Sequence, residues 1–185
     1  MTEFHEEKEK HVVRWMVAWM KDIVLVISLA LFFVYAFGTQ VRMVGQSMSP
    51  FLESNDVVLM DRISYRFFEP ERFDVVIFDK GDGSLHIKRV IGLPGETIQI
   101  RGGRIYVNDE LLKTSEALQD VPLAGLAAQP IELQEGEYFL LGDNRTGSED
   151  SRFADIGNVE KGQIKGKAWL RIFPLISLKW IQGES

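Results

Sequence analysis

A chain with no cysteine and only three histidines has few ways to build a nucleophile. The missing cysteines exclude thiol catalysis, iron–sulfur sites, Cys-ligated zinc and disulfides. His5, His11 and His86 never reach HExxH or HxH spacing, so no metal or other cofactor is expected. Gly45-Gln46-Ser47-Met48-Ser49 lacks the final glycine of GxSxG, and no serine begins an SxxK. Three islands dense in glycine, serine and charge remain. The first is Val44-Gly45-Gln46-Ser47-Met48-Ser49-Pro50-Phe51-Leu52, followed by Asn55-Asp56. The second is Lys88-Arg89-Val90-Ile91-Gly92-Leu93-Pro94-Gly95-Glu96, and the third runs from Leu141 through Gly142-Asp143-Asn144-Arg145 and Ser148 to Asp150-Ser151-Arg152.

Serine and lysine can replace a Ser-His pair when the amine is neutral. Bringing a lysine from its free pKa of about 10.4 to near 7 costs roughly 4–5 kcal/mol of differential solvation, so burial must do it. Lys88 lies among Ile87, Val90 and Ile91, an apolar strand that could exclude water. On composition alone the commoner arrangement is a lysine pointing outward from a half-buried strand. His86, two residues earlier, shares its face if the strand is regular, and is expected to flank rather than act.

In this order and spacing the islands resemble the motifs of the type I signal peptidases, in the short single-anchor form typical of Gram-positive bacteria. The resemblance covers roughly residues 41–174. It implies Ser47 as nucleophile, Lys88 as unprotonated general base and Ser148 as the group orienting the amine. It gives Arg89, Asp150 and Arg152 structural roles, with Asp150 pairing Arg89, and lets Gly142, Asp143 and Asn144 shape the turn that carries Ser148. It places Met43, Met48, Leu52 and Ile87 around the residue before the scissile bond, where bulky walls admit only small side chains. The bland alternative for these four is plain core. Gly45 stands where Gram-negative relatives have a serine, so backbone N–H groups must serve the oxyanion. Phe51, Asn55-Asp56 and Phe73-Asp74 also depart from the family pattern, the last two replacing Gly-Asp.

The elements that must position these residues are a membrane helix and a mainly β domain. The nineteen residues Ile23–Val41 carry no charge and, as a helix, reach about 28 Å, close to the hydrocarbon thickness. Lys8, Lys10, Arg14 and Lys21 precede the run, which places residues 1–22 in the cytoplasm and 42–185 outside, in a single-pass protein of the cell membrane. A cleavable leader ending near Ala36-Phe37-Gly38 is the competing reading, but its n-region would be long and acidic. Beyond residue 42, β-rich runs are expected at 57–60, 75–78, 87–91, 97–100, 104–107, 138–141 and 168–173. Thr97–Leu112 reads as a hairpin turning at Gly102-Gly103, within a small inserted region at 97–136 whose Ala- and Leu-rich middle is expected on the surface. Phe67-Phe68 and Leu175-Ile176 are candidates for dipping into the bilayer interface.

The net charge of −6 argues against a nucleic-acid partner. The partners implied are the signal peptides of exported pre-proteins and the lipid bilayer. A self-cleaving repressor shares Ser-Lys chemistry but would begin with a DNA-binding module. A non-catalytic, membrane-anchored β-domain that binds exported proteins is the rival from another class.

Overall fold

The computed structural model describes residues 2–115, 118, 120–181 and 183, with side chains described from Arg14 onward. It divides into two compact units, Met1–Gly38 and Thr39–Ser185. The first is one α-helix, Thr2–Phe37 (α1). Its Arg14–Phe37 stretch is the one helix among the described residues long and apolar enough to cross a membrane. Large apolar side chains from Trp15 to Tyr35 are exposed along it, with no polar stripe to mark a soluble face.

The apolar run was expected to stay helical to Val41, but the helix stops at Phe37. Thr39–Arg42 forms a strand (β1) antiparallel to Val57–Asp61 (β2), with Thr39 opposite Met60 and Arg42 opposite Val57. Thr39 and Val41 are β-branched and suit a half-buried strand. An uncharged run does not by itself show where a span ends and an apolar strand begins.

The second unit is mainly β, as expected. After β2 come Val75–Asp79 (β3), Leu85–Gly92 (β4), Thr97–Arg101 (β5), Arg104–Val107 (β6), Glu110–Leu111 (β7), Ile131–Glu132 (β8), Glu137–Leu141 (β9), Val159–Glu160 (β10), Ile164–Phe173 (β11) and Lys179–Trp180 (β12). One sheet has the order β1-β2-β11-β3-β4-β9-β10 with β12 on β11, and a smaller one the order β7-β6-β5-β8. All seven expected runs lie in strands. The five others have two to four residues, too few for an alternating pattern to show.

The β5–β6 hairpin turns at Gly102-Gly103, both with positive φ (55° and 77°), between the paired Arg101 and Arg104. That is the geometry a two-residue hairpin of this twist requires. Most of the described residues in 113–136 are exposed, as expected of a surface segment, but a few apolar side chains turn inward. Val121, Ala127 and Leu133 are buried in a cluster with Ile98 and Ile105 of the small sheet and Ile91, Phe139 and Leu141 of the large one. These three side chains thus help to fill a core to which both sheets contribute. Without a period their burial could not be read from the chain, and Leu123 and Leu126 do remain exposed.

Two departures from the family pattern carry a backbone consequence. Asn55 and Phe73 replace glycine and hold φ of 73° and 72°. Asparagine tolerates that region, whereas for a bulky residue it costs of order 1–3 kcal/mol. Surrounding contacts hold Phe73 in place: its N–H donates to the Val90 carbonyl at 2.8 Å, its own carbonyl accepts from Arg89 at 3.0 Å, and its ring is buried.

Candidate active site

β4 lies between β3 and β9, so both of its edges are paired and Lys88 sits within the sheet and not on an open edge. Its register against β3 is regular from Leu85 to Arg89, with Lys88 opposite Val76, and every residue from Ile87 to Gly92 is buried. Lys88 is only 3% exposed. It is not the outward, solvated lysine that composition alone favoured. Burial pushes its pKa down to about 8, against the opposing pull of Asp150, Glu149 and Asp143. The charged form is therefore disfavoured by about 3 kcal/mol relative to a lysine in water.

Ser47 reaches this amine from the turn that follows β1. Gly45, with φ of 79°, turns the chain two residues earlier, a conformation that a side chain there would strain. Lys88 Nζ and Ser47 Oγ are hydrogen-bonded at 2.9 Å, although 41 positions separate them. The third island fixes the same turn from the other side. The Asn144 N–H donates to the Ser47 carbonyl at 3.1 Å, and its side-chain amide donates to the Gln46 carbonyl at 3.0 Å. Asn144 Oδ1 accepts from the Gly147 N–H and the Thr146 hydroxyl, which locks the amide orientation.

Gly142 fits between the first and third islands. A Cβ there would lie 2.1 Å from Ser148 Oγ and 2.4 Å from the Ser47 carbonyl oxygen, so only glycine permits the approach. Ser148 is buried, and its hydroxyl donates to the Glu149 carbonyl at a long 3.5 Å. The hydrogen bond expected from Ser148 to Lys88 is not present among the described residues.

The expected Asp150–Arg89 pair is replaced by two others. Arg89 is bidentate to Asp143 at 2.8 and 2.6 Å, and Arg152 is bidentate to Asp150 at 2.8 and 2.9 Å, with all four side chains buried. Proximity along the fold explains the choice. Arg89 faces Leu141 across the β4–β9 ladder, two residues from Asp143, while Asp150 and Arg152 share one tight turn. Asp150 also accepts the Gly142 N–H at 3.0 Å. Arg152 donates to the carbonyls of Arg145 and Leu123, and the Leu126 N–H returns a bond to the Arg152 carbonyl at 2.8 Å. The 113–136 segment therefore braces the third island, a support with no local sequence signal.

Arg145 also escaped sequence reasoning. Its guanidinium is buried, its three nitrogens have no hydrogen-bond partner among the described residues, and burial lowers its pKa to about 10. Met43, Met48, Leu52 and Ile87 all enter one buried cluster with Val58, Val75 and Ile77. His86 is half-buried, 3.0 Å from the Ser84 hydroxyl and stacked near Phe78, with burial lowering its pKa. Among the described residues no group of three or more His, Cys, Asp or Glu side chains could hold a metal ion.

A model of the family described as signal peptidase, peptidase S26, matches residues 16–173. The chain belongs to that family. It is 31% identical over 183 residues to signal peptidase I of Bacillus licheniformis, an alignment covering 94% of this chain and 97% of that one. It is 36% identical over 138 residues to the probable signal peptidase I-2 of a Synechocystis species and 38% identical over 140 residues to signal peptidase I of Leptolyngbya laminosa. The last two alignments cover 71% of this S26 chain but only 61% and 66% of those relatives. The three motifs that carried the resemblance all lie inside the matched segment.

Proposed function

We propose that this protein is a membrane-anchored serine endopeptidase that removes signal peptides from exported pre-proteins after small-x-small motifs. The 2.9 Å contact between Ser47 Oγ and the buried Lys88 amine carries the proposal. With its pKa lowered to about 8, Lys88 is about one-tenth neutral at pH 7, against less than about a thousandth for a lysine in water, and it is in this neutral form that a general base acts. The neutral amine takes the Ser47 proton as Oγ attacks the carbonyl carbon of the small residue before the cut. The resulting ammonium returns that proton to the leaving amine, giving an acyl-enzyme. Lys88 then deprotonates a water that releases the acyl group and regenerates the serine.

Among the described residues the Ser47 N–H donates to no protein acceptor, so it is available to the oxyanion. Ser148 is proposed to orient the Lys88 amine, and its placement across Gly142 from Ser47 supports that role. Met43, Met48, Leu52 and Ile87, packed in one cluster, are the proposed walls of the pocket that rejects large residues. The Arg14–Phe37 stretch would be the single membrane span, with the N-terminus in the cytoplasm and the β domain outside.

Processing of a purified pre-protein in detergent tests the proposal. Wild type should cleave after the small-x-small motif, and Ser47→Ala and Lys88→Ala should both lose cleavage. Comparable cleavage by either variant overturns the dyad. Binding without cleavage by wild type establishes the non-catalytic rival.

A further inference from the structure

Beside β1 lies a surface cleft of about 520 Å³ that the proposed chemistry does not use. Arg62, Arg66 and Lys165 line it together with Thr39 and the apolar Met60 and Leu85, and no carboxylate contributes to the lining. Three cations in one cleft stand out in a chain of net charge −6. Lys165 reaches Asp79 only at 3.9 Å, through a solvent-exposed ion pair worth little. Phe67 and Phe68 directly follow Arg66 and are 77% and 70% exposed.

The position of the cleft along the chain says what should fill it. Thr39 is the second residue after the end of the membrane-spanning candidate, so about 7 Å of extended chain is the most that separates them. The β1–β2 register sets Thr39 opposite Met60, and the 3₁₀ turn Ser64–Arg66 follows just past the end of β2. Phe67-Phe68 therefore follow β2 at the end of the sheet where β1 begins, two residues along the chain from the span. Leu175-Ile176 belong to the opposite end, because Phe173 pairs with Val57. The two apolar pairs expected to dip into the bilayer are thus separated by the length of β2.

We propose that this cleft binds the phosphate of an anionic lipid headgroup in the leaflet the helix exits. Arg62, Arg66 and Lys165 supply the charge, and Phe67 and Phe68 enter the acyl region beside the lipid. Guanidinium groups suit a phosphate because they offer paired donors, and exposed aromatic rings suit the boundary between headgroups and acyl chains. The site rests on the membrane-anchored reading of the protein but not on the Ser-Lys dyad.

The test uses the full chain in detergent micelles, with bound lipid counted by native mass spectrometry as short-chain phosphatidylglycerol is titrated. Wild type should retain one phosphatidylglycerol. Arg62→Gln/Arg66→Gln should weaken retention about 30-fold and Lys165→Gln about fivefold, as expected for roughly equal contributions from each cation. Arg101→Gln/Arg104→Gln, an equal charge change on the small sheet, should leave retention within twofold. Unchanged cleavage of a short soluble peptide shows that the Arg62/Arg66 variant is folded, and Ser47→Ala should keep its lipid whether or not it cleaves. Equal weakening in the Arg101/Arg104 variant, equal retention of phosphatidylcholine, or displacement of the lipid by millimolar inorganic phosphate would overturn the proposal.

Discussion

Gly142→Ala isolates the geometry of the site from its chemistry, because it adds one methyl group and removes no functional atom. That methyl carbon would lie 2.1 Å from Ser148 Oγ and 2.4 Å from the Ser47 carbonyl oxygen, where non-bonded atoms need about 3.5 Å. Rotation of the Ser148 side chain moves Oγ away but leaves Ser148 Cβ at 2.5 Å, so this contact also demands a small shift of the chain at Ser148. The second involves the backbone of the proposed nucleophile, which Asn144 already holds, so Ser47 must move by about 1 Å. A displacement of that size costs about 100-fold in rate, or about 2.7 kcal/mol in the barrier. The assay is kcat/KM on a peptide spanning a small-x-small cleavage site, with Tm measured on the same preparation. Gly166→Ala is the control, since its methyl group meets the Asp61 carbonyl oxygen at 2.2 Å on β2, away from the Ser47 turn. The control should lower Tm while the folded fraction keeps its turnover. Gly142→Ala should lose turnover by far more than its change in Tm explains. If Gly142→Ala stays within threefold of wild type at unchanged Tm, the inference that Gly142 sets the Ser47 position is wrong.

If neutral Lys88 is the base, kcat/KM should rise about tenfold per pH unit below pH 8 and level off above it, because burial holds the amine near that value. The Glu149 carboxylate favours the protonated amine, so Glu149→Gln should move this limb to lower pH; a profile flat from pH 6 to 9 would exclude Lys88 as the titrating base. Asp143→Asn strands the Arg89 guanidinium, whose side chain is only 2% exposed, and urea denaturation should show a loss of about 3–5 kcal/mol. A loss below about 1 kcal/mol would mean that Phe73 and water satisfy Arg89 without its carboxylate.

The sequence marked the strands well where they are long enough to show a pattern. β3 is a near-continuous apolar run, β4 is rich in β-branched residues around Lys88-Arg89, and TIQI-Arg-Gly-Gly-RIYV could hardly be anything but a hairpin. It was less informative where structure depends on partners far along the chain. The last residues of the uncharged run became β1 because Val57–Asp61 offers them a ladder. The 113–136 segment lacks a period, yet it contributes Val121, Ala127 and Leu133 to a core that it shares with strands of both sheets. Phe73 and Asn55 were visible as departures, but only the backbone showed that they occupy left-handed positions.

By itself the chain determined which groups were available: no thiol, one histidine outside the N-terminal tail, and a serine, a lysine and a second serine in three motifs. Family membership follows from the same residues, since motif identity and spacing are properties of the sequence. Only the tertiary structure decided that Lys88 is buried, because its side chain stands out of the sheet and burial depends on what packs over that face, the Ser47 turn included. It also decided the ion pairs. Asp143 and Asp150 are equally plausible partners for Arg89 in one dimension, and the β4–β9 register selects Asp143. The lysine's lowered pKa has the same origin: desolvation is a property of everything packed around the amine, and no local stretch of sequence contains it.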